Sequence, residues 1–114
     1  MITYDVLAAG EKSTIRLLSN NILGFYMKDK NIIIKTMQKE YLLQEKIFKN
    51  VIKALKSDEY IECSRNHVVN INGIQEIRSD SLVFINNDIF PVSRRRYKPL
   101  LNAFNNSIIK EAGN

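Results

Sequence analysis

Arg94, Arg95 and Arg96 stand consecutively between the apolar stretch 89–92 and the pair Tyr97 and Lys98, in the run IFPVSRRRYK. Guanidinium groups this concentrated are donors for oxyanions, above all phosphate and carboxylate. Alone they do not choose among water, a phosphate backbone, an acidic partner and a membrane surface. A second chemically capable pair is Cys63 and His67, four residues apart. In an unbroken strand that spacing puts thiol and imidazole on one face, as nucleophilic catalysis needs. The intervening Ser64, Arg65 and Asn66 form a polar run expected to leave the strand and destroy the alignment. His67 is the sole histidine and has no second His or cysteine pair at ligand spacing, so no metal site is expected and His67 reads as a hydrogen-bonded structural residue. There is no phosphate loop, dinucleotide fingerprint or His-Glu-x-x-His run. The sequence therefore offers no catalytic residue and no cofactor site, and an enzyme is not expected.

The elements that must position these arginines fit in one domain, since 114 residues suffice for a single core. Hydrophobic residues make up 45% and charged residues 25%, proportions of a chain that folds. The formal net charge of +5 favours a polyanionic partner without requiring one. A lone cysteine, Cys63, rules out an internal disulfide. The first eighteen residues lack a basic segment followed by an unbroken apolar one, and no apolar run approaches the ~20 residues that span a bilayer. A soluble cytoplasmic protein with no membrane partner is expected.

Short strand signals dominate, each a β-branched or aromatic run closed by Asn, Asp, Gly or Lys. STIRLL (13–18), NILGFYM (21–27), NIIIKT (31–36) and EYLLQ (40–44) form a meander with turns at 29–31 and 38–39. Ile47, Phe48, Val51, Ile52 and Leu55 then recur with helical period, which predicts one amphipathic helix over about 45–56. Its lysines, Lys46, Lys49, Lys53 and Lys56, read as a solvated face. Strands resume at YIEC (60–63), HVVNI (67–71), IQEIRS (74–79), SLVFI (81–85) and IFPV (89–92), with turn signals at Asn72-Gly73, Asp80 and 86–88. From Ser93, a candidate N-cap, Tyr97, Leu100, Leu101 and Phe104 recur at helical spacing. Pro99 is expected to limit that helix to a first turn or a kinked one, and the tail from Ile108 is expected to fray.

Two stretches then carry a resemblance: YIECSRNHVVNINGIQEI and, further on, VFINNDIFPVSRRRYKPLL. Together they resemble the LytTR-type DNA-binding domain of bacterial transcription regulators, including the response regulators of two-component systems. Tyr60, Arg65, Val69, Asn70 and Ile74 match the first motif of that family; Pro91, Val92, Ser93 and Arg94 match its later Pro-Val-Ser-Arg. The order of elements agrees over roughly residues 12–104, so a single domain, 1–114, with flexible ends is expected. Glu62, Ser64 and Asn66 depart from the family pattern, which often has Arg, His and Ser there, so base preference does not transfer. Glu62 is expected to point away from DNA or to pair with a nearby Lys or Arg.

The resemblance implies a mostly β fold, an elongated antiparallel β-sandwich of short strands with one amphipathic helix and a short C-terminal helical segment. It also implies that loops, rather than a recognition helix, enter successive major grooves of double-stranded promoter DNA at a direct repeat. By position the base readers are Arg65, Arg95 and either Lys30 or Asn31. Lys28, Ser64, Asn66, Ser93, Arg94, Arg96 and Lys98 are the expected phosphate contacts, with bracing of the fold the alternative for the arginines, a helix cap for Ser93 and turn bonds for Asn66. An ion pair with Glu59 or Glu62 is the alternative for Arg65, and a solvated turn for the lysines. Asn70 reads as a buried amide tying down backbone. Expected partners are a receiver domain or sensor kinase system, if this is part of a longer chain, and weak self-association on DNA. The competing reading is a small basic β module that binds an acidic protein or RNA. Most of its aromatic residues fall at core-like positions, which argues against a base-stacking platform.

Overall fold

The computed structural model describes residues 2–56 and 58–112, with side chains as far as Ser107. Ten strands and two helices follow one another: β1 (Ile2–Ala8), β2 (Glu11–Leu17), β3 (Ile22–Lys28), β4 (Asn31–Thr36), β5 (Glu40–Leu43), α1 (Phe48–Ala54), β6 (Tyr60–Ser64), β7 (His67–Asn70), β8 (Ile74–Ile77), β9 (Ser81–Phe84), β10 (Ile89–Pro91) and α2 (Arg94–Ala112). All pairings are antiparallel, in a seven-stranded sheet of order β2-β1-β5-β4-β3-β7-β6 and a three-stranded sheet of order β10-β9-β8. The expected mostly β architecture is the one observed.

Strand alternation sorts the apolar side chains into two cores. On one side of the large sheet Ile22, Phe25, Ile32, Ile34, Leu43 and Val68 pack with Val51 of α1 and with Tyr60. On the other, Leu23, Cys63 and Val69 meet Ile74, Leu82, Phe84 and Phe90 of the small sheet and Leu100 of α2. Asn70 does what its apolar surroundings suggested: its amide donates to the Ile22 carbonyl at 2.9 Å, and its oxygen accepts from the Asn72 amide at 3.0 Å. Lys35 ties the two sheets together. Its ammonium lies 2.9 Å from both Glu40 and Asp88, and the Asp88 carboxyl is held below its usual range chiefly by that hydrogen bond.

Three expectations are corrected. The helix expected over 45–56 is shorter at both ends. The Glu45 carboxylate accepts from the backbone amides of Lys46 and Ile47 and from the Asn50 side chain, closing a turn ahead of Phe48 and leaving Ile47 57% exposed. At the far end the Leu55 amide bonds back to Ile52 O. The C-terminal helix is not short: α2 has 19 residues and continues through Pro99. Proline removes one intrahelical bond, the one to the Arg95 carbonyl, while Tyr97, fully buried Leu100 and Phe104 seat the helix on the second core. Thirdly, β1 was not expected, and the N-terminal end is built into the fold. It lies between β2 and β5 with Val6 fully buried. The expected fraying from Ile108 falls on side chains outside the described residues, and the expected turn at 56–59 includes Ser57, which also lies outside them.

β3 is buried on both faces, and Gly24 is what lets β7 and β10 close on it. A Cβ there would stand 2.5 Å from the Val68 carbonyl oxygen and 2.9 Å from a Phe90 ring carbon. Backbone cannot yield as a flexible side chain can, so Gly24→Ala is expected to destabilise by about 1–3 kcal/mol through overpacking. Urea unfolding measures this directly. An unchanged midpoint would contradict the close approach.

Candidate nucleic-acid interface

Three turns gather at one end of the large sheet. β3 and β4 join through Asp29 (φ 53°) and Lys30 (φ 65°), with Lys28 opposite Asn31. Two successive left-handed residues are the signature of the tight hairpin turn that matches strand twist, and a lysine adopts that conformation only at a cost of about 1–2 kcal/mol. β6 and β7 join through Arg65 and Asn66, with Ser64 opposite His67; Asn66 takes the left-handed position (φ 60°) that its short amide tolerates. The Asn66 carbonyl accepts from the Met27 amide at 3.1 Å, which locks this turn to the base of the 28–31 hairpin. The third turn leads into α2, where the Ser93 amide donates to the Cys63 carbonyl at 2.9 Å and the Ser93 carbonyl accepts from the Arg96 amide at 3.1 Å. Ser93 thus opens the helix through its backbone.

Between α1, the β6–β7 turn and the start of α2 lies a groove of about 580 Å³. Its lining combines Phe48, Lys49 and Ile52 with Glu62, Ser64, Arg65 and Asn66, and with Ser93, Arg95 and Arg96. Six of the sequence-selected residues therefore share one wall system: Ser64, Arg65, Asn66, Ser93, Arg95 and Arg96. Arg65 and Arg95 are exposed and form no ion pair among the described residues. The expected pairing of Glu62 with a nearby cation is realised by Arg96, Nη2 to Oε2 at 3.1 Å. That occupies Glu62, one of the two acids named as alternative partners of Arg65, and among the described residues no ion pair joins Arg65 to the other, Glu59.

The other candidates lie elsewhere. Arg94 lines a separate pocket with Ser79 and Asp80, so the consecutive arginines diverge. Lys98 is exposed one turn further along α2. Lys28, Lys30 and Asn31 sit on the neighbouring hairpin tip, and Asn31 accepts from the Lys46 ammonium at 2.6 Å and donates to the Asp29 carbonyl at 3.3 Å. Lys49 is the residue sequence reasoning missed. It was read as part of a solvated stripe, and helical period alone cannot reveal which turn faces β6. A second groove, about 500 Å³ between β1, β5 and α1, is lined by Asp5 and Glu45 and by no Lys or Arg, so it is the wrong sign for phosphate.

His67 supports the Arg65 turn. Its Nδ1 lies 2.9 Å from the Arg65 carbonyl, which can only accept, so Nδ1 carries the proton and donates. The ring stacks on Tyr26 at 5.7 Å and meets the Phe90 edge at 5.0 Å. The Cys63 thiol donates to the His67 backbone carbonyl at 3.8 Å and is wholly buried.

A mostly β domain whose turns, flanked by two helices, converge several cations on an open groove has the charge and shape to receive an oxyanion. The family model described as the LytTr DNA-binding domain matches residues 12–105, and the chain belongs to that family. It is a DNA-binding domain of the kind transcription regulators carry. The fold is shared with a solved chain described as the LytTr DNA-binding domain of a methyl-accepting/DNA response regulator from Bacillus cereus, with a TM-score of 0.74 and 19% identity over 90% of this chain and 97% of that one. No curated protein matches the chain. Among the described residues, no helix is long and apolar enough to cross a membrane.

Burial pushes the Cys63 thiol up to about 12, so at pH 8 almost none of it is thiolate, the nucleophilic form. The native protein is therefore expected to resist iodoacetamide at pH 8 and to react promptly once unfolded in urea. Labelling of the native protein at the unfolded rate would contradict this burial.

Proposed function

We propose that this domain binds double-stranded promoter DNA sequence-specifically, seating its turns in successive major grooves along one side of the duplex. The observation that carries the reading is the groove in which Arg65 and Arg95, from elements far apart in sequence, stand together and free of acidic partners. A guanidinium in the major groove can donate to guanine O6 and N7 together, which discriminates by about 1–3 kcal/mol per good pair. Arg65 and Arg95 are the base readers in this proposal, with Lys30 or Asn31 as the third contact from the adjacent hairpin. Ser64, Asn66 and Ser93 present short polar groups, and Lys28, Lys49, Arg94 and Lys98 present cations, to phosphates flanking those base contacts. For Arg96 the ion pair with Glu62 favours bracing over a phosphate contact.

On this reading two copies occupy a direct repeat and associate weakly on the DNA. The Bacillus cereus chain of like fold is described as part of a response regulator, which supports a receiver domain and a sensor kinase as partners in the longer protein. The alternative of a single-strand RNA platform is disfavoured by the rings themselves, since Tyr26, Phe25, Phe84 and Phe90 pack on one another or on His67 and Tyr60.

Gel-shift titration on promoter duplexes at several salt concentrations tests the proposal. A preferred sequence should bind well above random duplex, with log K falling linearly against log salt. Arg95→Ala should reduce affinity for that sequence far more than for random DNA, whereas Lys49→Ala should weaken both about equally. Failure of any duplex to exceed random DNA would sink the specific-regulator reading, and equal losses for Arg95→Ala would remove it as the base reader.

A further inference from the structure

The cationic groove contains one carboxylate, and its placement is built in. Along β6 the alternation sends Tyr60 to the first core and Cys63 to the second, leaving Glu62 on the Tyr60 side, where it lines the groove with Lys49, Arg65, Arg95 and Arg96. Arg96 reaches it from the first turn of α2. Both side chains are only about one-third exposed, 36% for Arg96 and 34% for Glu62, so the pair is partly shielded from the solvent that weakens most surface ion pairs. The Glu62 carboxylate takes one of the five guanidinium donors and neutralises its charge, so a phosphate oxygen meets an arginine that is already paired.

We propose that Glu62 acts as an internal counterion, occupying Arg96 in place of a DNA phosphate and so holding down the affinity of a single domain for any duplex. The inference rests on the DNA-binding reading of this groove but not on sequence specificity. Each cation that neutralises a phosphate adds about 0.9 to the slope of log K against log salt, because it releases condensed counterions. An arginine already neutralised by its own chain releases none. Weak single-domain binding makes occupancy depend on a second copy nearby, since a linked or adjacent copy raises the effective concentration without new contacts.

The test is a double-mutant cycle on random-sequence duplex, read as affinity and salt slope, with a thermal melt of each variant. Glu62→Gln should bind roughly threefold to tenfold more tightly at low salt and steepen the slope by about 0.9. Arg96→Ala in the Glu62→Gln background should abolish the gain and return the slope to the wild-type value, while Arg96→Ala alone, which leaves the Glu62 carboxylate unpaired beside Lys49, Arg65 and Arg95, should bind no more tightly than wild type. Two results would overturn the proposal: a slope for the double variant shallower than wild type by about 0.9, which makes Arg96 a phosphate contact in the wild type, or a Glu62→Gln gain that persists without Arg96, which reduces Glu62 to general repulsion. Because random duplex is the probe, wild type with no preferred sequence would defeat the specific-regulator reading while leaving this cycle interpretable. Wild type with a preferred sequence and an unchanged slope in Glu62→Gln would defeat only the counterion.

Discussion

The burial of β3 on both faces is the constraint from which the rest follows. Ile22 and Phe25 belong to one core and Leu23 to the other, so no shift of register is tolerated: moving β3 by one residue would exchange the two sets. Its neighbours are fixed with it, β4 on one side and β7 on the other, and Gly24 sets how closely β7 and Phe90 approach. The turns proposed to meet DNA hang from this strand. Lys28 is its last residue, the 28–31 hairpin continues it, and its Met27 amide holds the Asn66 carbonyl of the neighbouring turn. A strand that cannot slip presents both turns at a constant spacing, as contacts to a helical polymer of fixed repeat require.

The arginine that opens the β6–β7 turn is supported from below by aromatic packing. Tyr26, His67 and Phe90 contact one another, and the imidazole donates to the backbone of Arg65. Preorganisation of this kind matters for base recognition, because a guanidinium on a settled backbone loses less entropy on binding. α2 supplies the other arginine, and its long apolar face on the second core makes its first turn equally settled. The electrostatics are asymmetric by construction: one groove gathers cations around a single carboxylate, while the other is lined by Asp5 and Glu45.

Much of this was legible in the sequence, for reasons that are local. β-branched runs closed by Asn, Asp and Gly gave most strands, the period of Phe48, Val51, Ile52 and Leu55 gave α1, and Asn70 between hydrophobics read as a buried amide in preference to a DNA contact. Two motifs in the correct order pointed to the family. What escaped depended on tertiary context. β1 has a single fully buried side chain, Val6, so its apolar signal is weak. Pro99 was weighed as a helix breaker, yet the burial of Leu100 offsets one missing hydrogen bond. The divergence of Arg94 from Arg95 and Arg96 is a matter of helical rotation against two different neighbours. A cationic partner for Glu62 was expected, but that it is Arg96 joins positions distant in sequence, and Lys49 enters the groove only because α1 packs beside β6.

The central claim is that one end of the large sheet, formed by the turns at 28–31 and 64–67 and the start of α2, is the face that meets DNA. Backbone amide chemical-shift mapping during titration with a binding duplex tests it most directly. The account predicts that the largest perturbations cluster at 28–31, 64–67 and 93–98 and extend to Lys49, with β1, β2 and the small sheet little affected. Perturbations centred on the β1–β2 hairpin or on the acidic groove beside Asp5 and Glu45 would contradict it.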